Sequence, residues 1–374
     1  MLNIVADDKI PFLRGVLEVH NCAVTYLPGG KISRSDLGNA DALIIRTRTR
    51  CDRELLENTP VKFIATATIG FDHLDIDYLA QRGIVWCNAP GCNANSVTQY
   101  FCSAILNYAA ENHWTLKGKT LGVVGVGNVG RKVAAAGRAL GLKVLLNDPP
   151  RQQSEGGEYW TSLEEVLRKS DIISFHTPLI QGGKFNTFHL LNDENIRLLK
   201  PTALLLNSSR GEVVDNSSLL TTLNAGQISG AILDVWEQEP AINPDLLGSL
   251  FFATPHIAGY SADGKRNGTG WSVKKLAEFF KLPEFEFAAV GFPTPTDDII
   301  DMSGMNQLPV SEQLAYAVNC AYDIHSDDQA LRRSPGSFEQ LRGNYPVRLE
   351  FNHYRVINAA PEINNILKEL GFSV

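Results

Sequence analysis

The sequence lacks several features that mark other classes of protein. Polar residues interrupt every apolar run well before it reaches membrane-spanning length. The N-terminal residues show no basic segment followed by an apolar stretch, so we expect no secretory signal and a cytoplasmic location. The six cysteines are scattered and form no C-x-x-C pair, which is typical of reduced thiols and argues against a zinc site.

The charge balance shows no basic excess either. The chain has 34 basic and 41 acidic side chains, and its net charge of −7 gives no support to a nucleic-acid partner. Hydrophobic residues make up 44% and charged residues 20%, as in ordinary soluble globular proteins. At 374 residues the chain is long for one hydrophobic core, so we expect two or three domains.

Short apolar segments alternate with helical patterns along most of the chain. Up to about residue 90 this pattern predicts a small α/β domain with a parallel sheet, followed by a helix at 95–111. Residues 119–253 show repeated β–α units of a doubly wound sheet, with one helix near 193–199. The predicted strands are 2–6, 42–46, 62–66, 84–87, 119–124, 143–147, 171–175, 203–207, 230–234 and 250–253.

The last part of the chain differs in character from these β–α units. Residues 285–298, which include Pro293 and Pro295, have the composition of a linker. The residues beyond it are enough for a third, small domain with its own helices and strands.

A glycine-rich motif follows the strand at 119–124. Residues 125–130 match G-x-G-x-x-G, end a strand and open a helix, which is the context of a dinucleotide-binding turn. The helix N-terminus offers free N–H groups and a positive dipole to a pyrophosphate. The candidate cofactor residues of this motif are Gly125, Gly127, Asn128, Val129 and Gly130.

An acidic residue follows the next strand. Asp148 lies 18 positions after Gly130, where a carboxylate accepts from the ribose hydroxyls and disfavours a 2′-phosphate. We therefore expect NAD rather than NADP, although the nearby Arg151 could instead receive the phosphate.

Three further polar motifs end strands of the doubly wound sheet. They are N-S-S-R-G at 207–211, D-V-W-E-Q-E-P at 234–240 and T-P-H-I-A-G at 254–259. The carboxyl ends of parallel strands lie together, so Arg210, an acid of the second motif and His256 could converge there.

In these motifs and their order the chain resembles the D-isomer-specific 2-hydroxyacid dehydrogenases. The resemblance implies that Arg210 binds the substrate carboxylate, His256 takes the hydroxyl proton and Glu239 pairs with the imidazole. An arginine offers a fixed charged fork to a carboxylate, and histidine is the usual general base. Glu237 is the competitor for the role of Glu239, although the family motif places the acid directly before the proline.

The resemblance also implies further ligand positions. Those for the cofactor are Thr177, Asp234 and Gly259, with His176 structural, and those for the substrate are Thr47, Thr68 and Tyr260, with backbone N–H from Gly70. Motifs near residue 90 and in the tail resemble a branch of the family that acts on a phosphorylated sugar acid. We therefore hypothesise that Arg46 binds the substrate phosphate, although the basic run at 46–50 could equally be a solvated face.

The fold implied by the resemblance is α/β. A Rossmann-type doubly wound NAD domain (95–256) is inserted in a flavodoxin-like substrate domain (1–94 and 257–285), with the substrate bound in a cleft between them. A small α+β C-terminal domain (286–374) forms a homodimer. No metal, nucleic acid or membrane partner is expected.

Two alternatives stay open at this point. One is another member of the same family that handles a phosphorylated acid. The other is an NAD(H)-sensing, corepressor-like interaction protein, which would bind the dinucleotide without turnover.

Overall fold

The computed structural model describes residues 1–283, 287 and 291–374. Its strands are β1 (Leu2–Asp7), β2 (Cys22–Leu27), β3 (Ala42–Ile45), β4 (Phe63–Thr66), β5 (Val85–Cys87), β6 (Thr120–Val124), β7 (Lys143–Asn147), β8 (Ile172–Phe175), β9 (Leu204–Asn207), β10 (Gly230–Leu233), β11 (Phe252–Ala253), β12 (Ile299–Asp301) and β13 (Arg355–Ile357). Its α-helices are α1 (Arg53–Leu56), α2 (Ile76–Arg82), α3 (Ala94–Glu111), α4 (Asn128–Ala139), α5 (Pro149–Glu155), α6 (Leu163–Lys169), α7 (Asn216–Asn224), α8 (Pro244–Ser249), α9 (Ala262–Phe280), α10 (Val310–Ala321), α11 (Ile324–Arg333), α12 (Phe338–Gly343) and α13 (Pro361–Leu370). Of the helices in the described ranges, none is long and apolar enough to cross a membrane.

Residue contacts divide the chain into two compact units. The first contains Met1–Asn93 and Ser261–Pro293, and the second contains Ala94–Tyr260 and Thr294–Val374. The tail, by which we mean residues 294–374, therefore belongs to the same compact unit as the β–α repeats. The predicted three-domain division stays a prediction, and part of its linker at 285–298, with the boundary after residue 285, lies outside the described residues.

A five-stranded parallel sheet forms the centre of the first unit. Its order is β2-β1-β3-β4-β5, which is the flavodoxin-like order that was expected. β3 and β4 are buried throughout and apolar except for Thr66, as central strands of a covered parallel sheet are. β2 has no counterpart among the predicted strands, because this edge strand is mostly half-exposed and lacks a continuous apolar run.

A six-stranded parallel sheet forms the centre of the second unit, in the order β11-β10-β9-β8-β6-β7. A parallel bridge between Leu146 of β7 and Trp160 adds a one-residue strand at its edge. With that bridge counted, the order is that of dinucleotide-binding sheets, extended by one strand. The order reverses between β6 and β8, and ligands of such sheets bind at the carboxyl ends beside this point.

The predicted helix at 95–111 is confirmed as α3, but it is buried nearly all round. Its polar stripe, Ser96, Gln99, Ser103 and Asn107, resembles a solvent face and is instead covered by the tail. Gln99 Nε2 donates to the carbonyl of Leu349 at 2.9 Å, and Ser103 Oγ to that of Tyr322 at 3.1 Å. Ser96 donates to Glu350 and Asn107 to Asn319, at 3.0 and 2.8 Å. The stripe therefore satisfies polar groups of the tail that α3 buries.

The helix predicted near 193–199 is wrong in type, because the structure has only a 3₁₀ turn at Ile196–Leu198. The Asn192 side chain accepts from the N–H groups of Glu194 and Asn195, at 3.0 and 3.3 Å. Such local side-chain bonds compete with helical hydrogen bonds.

An ion pair on α11 attaches the tail to the edge of the six-stranded sheet. Arg332 Nε donates to both carboxylate oxygens of Asp328, at 2.9 and 2.8 Å. The other guanidinium nitrogens donate to the carbonyls of Leu247 and Leu250, at 2.7 and 2.9 Å. Asp328 accepts in turn from the N–H of Ala253 at 2.8 Å. The pair therefore satisfies backbone groups of β11 and of the helix before it.

We expect Arg332→Met to lower the free energy of unfolding by about 1–3 kcal/mol, because it removes the guanidinium donor of Asp328 and of two carbonyls. The matched control is Arg333→Met on the same helix, where the exposed guanidinium donates to Gln329 at 2.8 Å. The control should change stability by less than about 0.5 kcal/mol. Urea unfolding measures both, and equal effects would contradict this role of Arg332.

Candidate active site

The turn between β6 and α4 holds the predicted fingerprint. Gly125 has φ +85°, and a Cβ there would lie 2.7–2.8 Å from backbone atoms of His176 and Thr177. A Cβ on Gly130 would lie 2.0 Å from the carbonyl oxygen of Gly125. Both positions require glycine, because the backbone approaches these atoms too closely for a side chain. This is the packing that the dinucleotide fingerprint predicts.

The N-terminus of α4 has room for a ligand. Its N-cap is Gly127, and a Cβ there would meet no atom within 4 Å. Asn128 accepts from Arg131 Nη2 at 2.7 Å, and Val129 packs against the core. Arg131, which was not singled out from the sequence, thus brings a cation to the first turn. The open turn, the helix dipole and this cation together suit a pyrophosphate.

Two buried hydroxyls follow β8 and β9 and have no hydrogen-bond partner among the described residues. They are Thr177 Oγ1 and Ser208 Oγ. A buried polar atom without a partner is costly, and a ligand that completes it removes the cost. The predicted cofactor neighbour Thr177 therefore fits a bound dinucleotide, and Ser208 adds a second such position.

His176, predicted to be structural, lies between these strands and the fingerprint. Its Nε2 is 2.8 Å from Ser174 Oγ. Burial lowers the pKa of His176 to about 3, so the imidazole is neutral near pH 7 and unsuited to proton transfer there.

Asp148 links the fingerprint turn to α5. Its Oδ2 accepts from the N–H of Val126 at 2.8 Å, and its Oδ1 from the N–H of Arg151 at 3.1 Å. Each carboxylate oxygen keeps a lone pair for a further donor. Arg151 Nε and Nη2 donate to both carboxylate oxygens of Glu155, at 2.7 and 2.8 Å. The arginine that could have received a 2′-phosphate is therefore held by a carboxylate.

Asn207 shapes the loop that carries Arg210. Its Nδ2 donates to the carbonyl of Arg210 at 2.9 Å, and its Oδ1 accepts from the N–H and Oγ of Ser209, at 3.1 and 2.8 Å. Arg210 is half-buried. A Cβ on Gly211 would lie 2.0 Å from the carbonyl of Trp236, so the Arg210 loop rests directly on the loop after β10.

A hydrogen bond joins the predicted acid to the predicted base. His256 Nδ1 lies 2.8 Å from Glu239 Oε2, and Glu239 Oε1 accepts from the N–H of Trp236 at 2.9 Å. Burial by itself raises the pKa of Glu239, but the hydrogen bond and charge of His256 and the N–H of Trp236 outweigh it, so the pKa is lowered. A carboxylate at Nδ1 fixes the imidazole orientation and leaves Nε2 for proton transfer.

Asp234, predicted to lie near the cofactor, anchors the loop that carries His256. It is 1% exposed. Its Oδ1 accepts from Thr254 Oγ1 and from the N–H of Ile257, both at 2.7 Å, and its Oδ2 from the N–H of Ala258 at 2.9 Å. Half-buried Gly259 continues this loop. Cofactor contacts of Asp234 and Gly259 stay predictions.

Glu237, the competitor for the role of Glu239, has other partners. It lies 2.6 Å from His189 Nε2 and accepts from the N–H of Asn216 at 3.0 Å. His189, Asp215 and Glu237 form the one group in the described ranges whose atoms are close enough to hold a metal ion. Since Asp215 caps α7 and Glu237 bonds the imidazole directly, this group carries no argument for a metal.

In the first unit, the predicted substrate residue Thr68 belongs to a chain of hydroxyls. Its Oγ1 lies 2.8 Å from Thr66 Oγ1 and donates to the carbonyl of Gly70 at 3.0 Å. Thr66 Oγ1 lies 3.1 Å from His73 Nε2. Burial lowers the pKa of His73 to about 4 despite the charge of Asp72, so a neutral imidazole orders this chain. Neither Thr66 nor His73 lies in a motif that could have identified it.

Arg46, the predicted phosphate ligand, is held by a buried carboxylate. Its Nε and Nη2 donate to the two oxygens of Asp7, at 3.0 and 3.2 Å, and Asp7 is 0% exposed. β3 ends at Ile45, so the strand predicted at 42–46 is one residue too long, and a turn follows in which Thr47, Arg48 and Arg50 are exposed. A solvated basic face therefore describes Arg48 and Arg50 but not Arg46.

In the second unit, the predicted substrate residue Tyr260 contacts the tail. Its ring lies edge-on to that of Tyr345, with centroids 5.8 Å apart, and the Arg342 guanidinium carbon lies 5.9 Å from its centre. Arg342 also pairs with Glu339 at 3.0 Å. These tail residues were absent from the predicted site, because no cofactor or catalytic motif includes them.

Comparison with known families covers both parts of the second unit. Residues 98–258 match the family described as D-isomer specific 2-hydroxyacid dehydrogenase, NAD binding domain. Residues 294–371 match a family described as a domain of unknown function.

Relatives extend the similarity to nearly the whole chain. Erythronate-4-phosphate dehydrogenase of Bacteroides fragilis is 45% identical over 356 residues, which are 95% of this chain and 99% of that protein. The Escherichia coli protein of that name is 40% identical over 375 residues, covering 100% of this chain and 98% of its own length. The solved NAD+-bound 3-phosphoglycerate dehydrogenase of Entamoeba histolytica has a TM-score of 0.64 at 25% identity, covering 79% of this chain and 99% of that one. The chain therefore belongs to the D-isomer specific 2-hydroxyacid dehydrogenases, in the group of the erythronate-4-phosphate dehydrogenases.

Proposed function

We propose that the chain oxidises 4-phospho-D-erythronate to (R)-3-hydroxy-2-oxo-4-phosphooxybutanoate with NAD, a step of pyridoxal 5′-phosphate biosynthesis. The observation that carries the chemistry is the hydrogen bond between Glu239 and His256. The two residues follow strands of the sheet that also carries the dinucleotide turn, and the Arg210 loop packs against the loop that contains Glu239. The name of relatives at 45% and 40% identity over nearly the full length supports the phosphorylated substrate.

The three residues divide the work of alcohol oxidation. NAD, when bound, accepts a hydride from C2 of the substrate. Arg210 offers a permanent charge to the substrate carboxylate and to the C2 oxygen. His256 Nε2 takes the hydroxyl proton, and the Glu239 carboxylate stabilises the imidazolium that results.

The fingerprint residues, Thr177 and Ser208 would hold the dinucleotide. The Asp148 carboxylate would accept from the adenosine ribose and repel a 2′-phosphate. Because the Glu155 carboxylate pairs with the Arg151 guanidinium, this cation competes less with that preference.

On the substrate side, we assign Thr47, Thr68 and Tyr260 to the sugar acid and Arg46 to its phosphate. Asp7 fixes two nitrogens of the Arg46 guanidinium and leaves its remaining N–H groups for an anion. A pre-oriented arginine loses little freedom on binding, which suits recognition of a phosphate.

We infer further that the chain is a cytoplasmic homodimer joined through its tail. Four apolar side chains of the tail, Ile299, Leu308, Val310 and Tyr316, are 39–44% exposed. Such residues at a self-complementary surface would be covered by a second copy. Light scattering of the purified chain tests the stoichiometry.

We expect His256→Asn to lower kcat by about 10²- to 10⁴-fold, the usual cost of losing a general base, with NADH affinity unchanged. Glu239→Gln should cost less and move the acid limb of the kcat/KM profile to lower pH. The pKa of Glu239 is lowered, so the carboxylate supports the imidazolium above its own titration and loses that role only as pH falls through it. Initial rates between pH 5 and 9 measure both, and wild-type turnover in His256→Asn would refute the assignment.

We expect Asp148→Ser to lower kcat/KM for NAD by roughly 10- to 10²-fold, because a charged hydrogen bond to the ribose is lost. Adding Glu155→Ala should release Arg151 and raise the rate with NADP further. Glu158→Ala, an exposed acid beyond the same helix, is the control and should leave the NAD to NADP ratio unchanged. Rates with each cofactor decide, and a constant ratio in the double variant would exclude this role for Glu155.

We expect Arg46→Ala to raise KM for erythronate 4-phosphate by about 10- to 10²-fold and to change KM for unphosphorylated erythronate much less. Arg50→Ala is the control, since the Arg50 side chain is 84% exposed and pairs with Asp52. Because Arg46→Ala removes the ion-pair partner of the buried Asp7, urea unfolding should accompany the kinetics. Equal KM changes for the two substrates would remove Arg46 from the phosphate site.

A further inference from the structure

The loop that carries His256 has an uncommon backbone conformation. His256 has φ +56°, a region that residues other than glycine seldom adopt. Such a conformation persists only where the surroundings hold it, and it clusters at functional sites. The groups that bind the next two residues therefore decide where the imidazole lies.

Two buried charges hold those residues from opposite sides. Asp234 accepts from the N–H groups of Ile257 and Ala258, at 2.7 and 2.9 Å. Arg348 Nη2 donates to the carbonyls of the same two residues, at 3.2 and 2.5 Å. The loop is thus bound through both its donors and its acceptors.

Arg348 comes from the tail, and its neighbours fix it there. Its guanidinium carbon lies 4.4 Å from the ring centre of Tyr322. The following residues are attached to α3, since the carbonyl of Leu349 accepts from Gln99 and the carboxylate of Glu350 from Ser96. The polar stripe of α3 therefore sets the position from which Arg348 reaches the loop.

A buried guanidinium with so few acceptors is costly. Arg348 is 5% exposed, and its Nε and Nη1 have no hydrogen-bond partner within the described ranges. Well-packed apolar residues of similar size often replace a buried ion pair without loss of stability. Stability alone therefore does not account for an arginine here.

We propose that Arg348 is a positioning residue for catalysis: together with Asp234 it clamps the three peptide groups between His256 and Gly259 and keeps the imidazole on Glu239. The tail, whose family is described as a domain of unknown function, thereby becomes part of the catalytic apparatus. The role of the loop in turnover rests on the proposed function, whereas the effect of Arg348 on the position of the imidazole does not.

The test compares Arg348→Met and Arg348→Lys with the wild-type chain. We expect Arg348→Met to lower kcat by about 10- to 10²-fold, the scale of a misplaced catalytic group, with NADH affinity and KM nearly unchanged. Arg348→Lys should recover part of kcat, because an ammonium can still donate to both carbonyls. A third variant, Arg348→Ala, leaves space for a free guanidinium ion, and we expect added guanidinium to restore turnover in it. Failure to do so in the folded variant counts against the proposal.

The matched control is Arg332→Met, which also removes a tail arginine from backbone carbonyls but at β11 rather than at the catalytic loop. It should lose stability and keep the wild-type kcat. An equal loss of kcat in both variants would mean that any loosening of the tail suffices, and would overturn the specific role of Arg348.

A measurement without substrate separates this inference from the proposed function. In the chain labelled with ¹⁵N-histidine, the Nδ1 signal of His256, identified by its loss in His256→Asn, reports the hydrogen bond to Glu239. We expect this signal to shift in Arg348→Met and to stay in place in Arg332→Met. An unchanged signal in folded Arg348→Met overturns the proposal whatever the turnover, and an inactive wild-type chain overturns only the substrate assignment.

Discussion

The strands of the six-stranded sheet are all parallel, so their carboxyl ends share one edge of that sheet. Each functional segment follows one of these ends, and the sequence between them supplies only the helices that return the chain. The arrangement brings a phosphate-binding turn and three reactive side chains to one edge of the sheet, although they are far apart in the sequence. The segments, in strand order from β6 to β11, contain Gly125, Asp148, Thr177, Arg210, Glu239 and His256.

Buried acids then fix what the sheet brings together. Asp7 holds Arg46 and Asp328 holds Arg332 by direct ion pairs. The first pair orients the Arg46 guanidinium, and the second attaches α11 to the sheet. Asp234 and Arg348 act instead through the peptide groups that lie between them. A direct pair fixes a side chain, whereas a pair separated by peptide groups fixes the backbone. The second kind suits a loop whose side chain must stay available for proton transfer.

Much of the site could be predicted from the sequence, because its residues lie in motifs at strand ends. The fingerprint turn and the contact between Glu239 and His256 are of this kind. The partners of Thr68 and the contacts of Asp234 could not be predicted, since they depend on how loops fold back on themselves. Both sheets were predicted in type, and the half-exposed edge strand β2 was missed for lack of an apolar run.

The tail shows the same limit on a larger scale. An apolar stripe on α3 correctly indicated a buried helix, but its polar stripe also faces protein. Periodicity distinguishes apolar from polar faces and says nothing about what covers a polar one. Arg348 was unpredictable for the same reason, because its acceptors are backbone carbonyls, which no sequence pattern marks.

The polar stripe of α3 has a consequence for the chain during its synthesis. The ribosome makes α3 long before residues 294–374, which cover that stripe, and at roughly 5–20 residues per second the delay is on the order of ten seconds or more. Throughout this interval water can satisfy Gln99, Ser103 and Asn107, so part of the surface that the tail later covers is hydrophilic. The same side chains later exchange their water for hydrogen bonds to the tail. These groups therefore stay hydrogen-bonded both before and after the tail covers the helix.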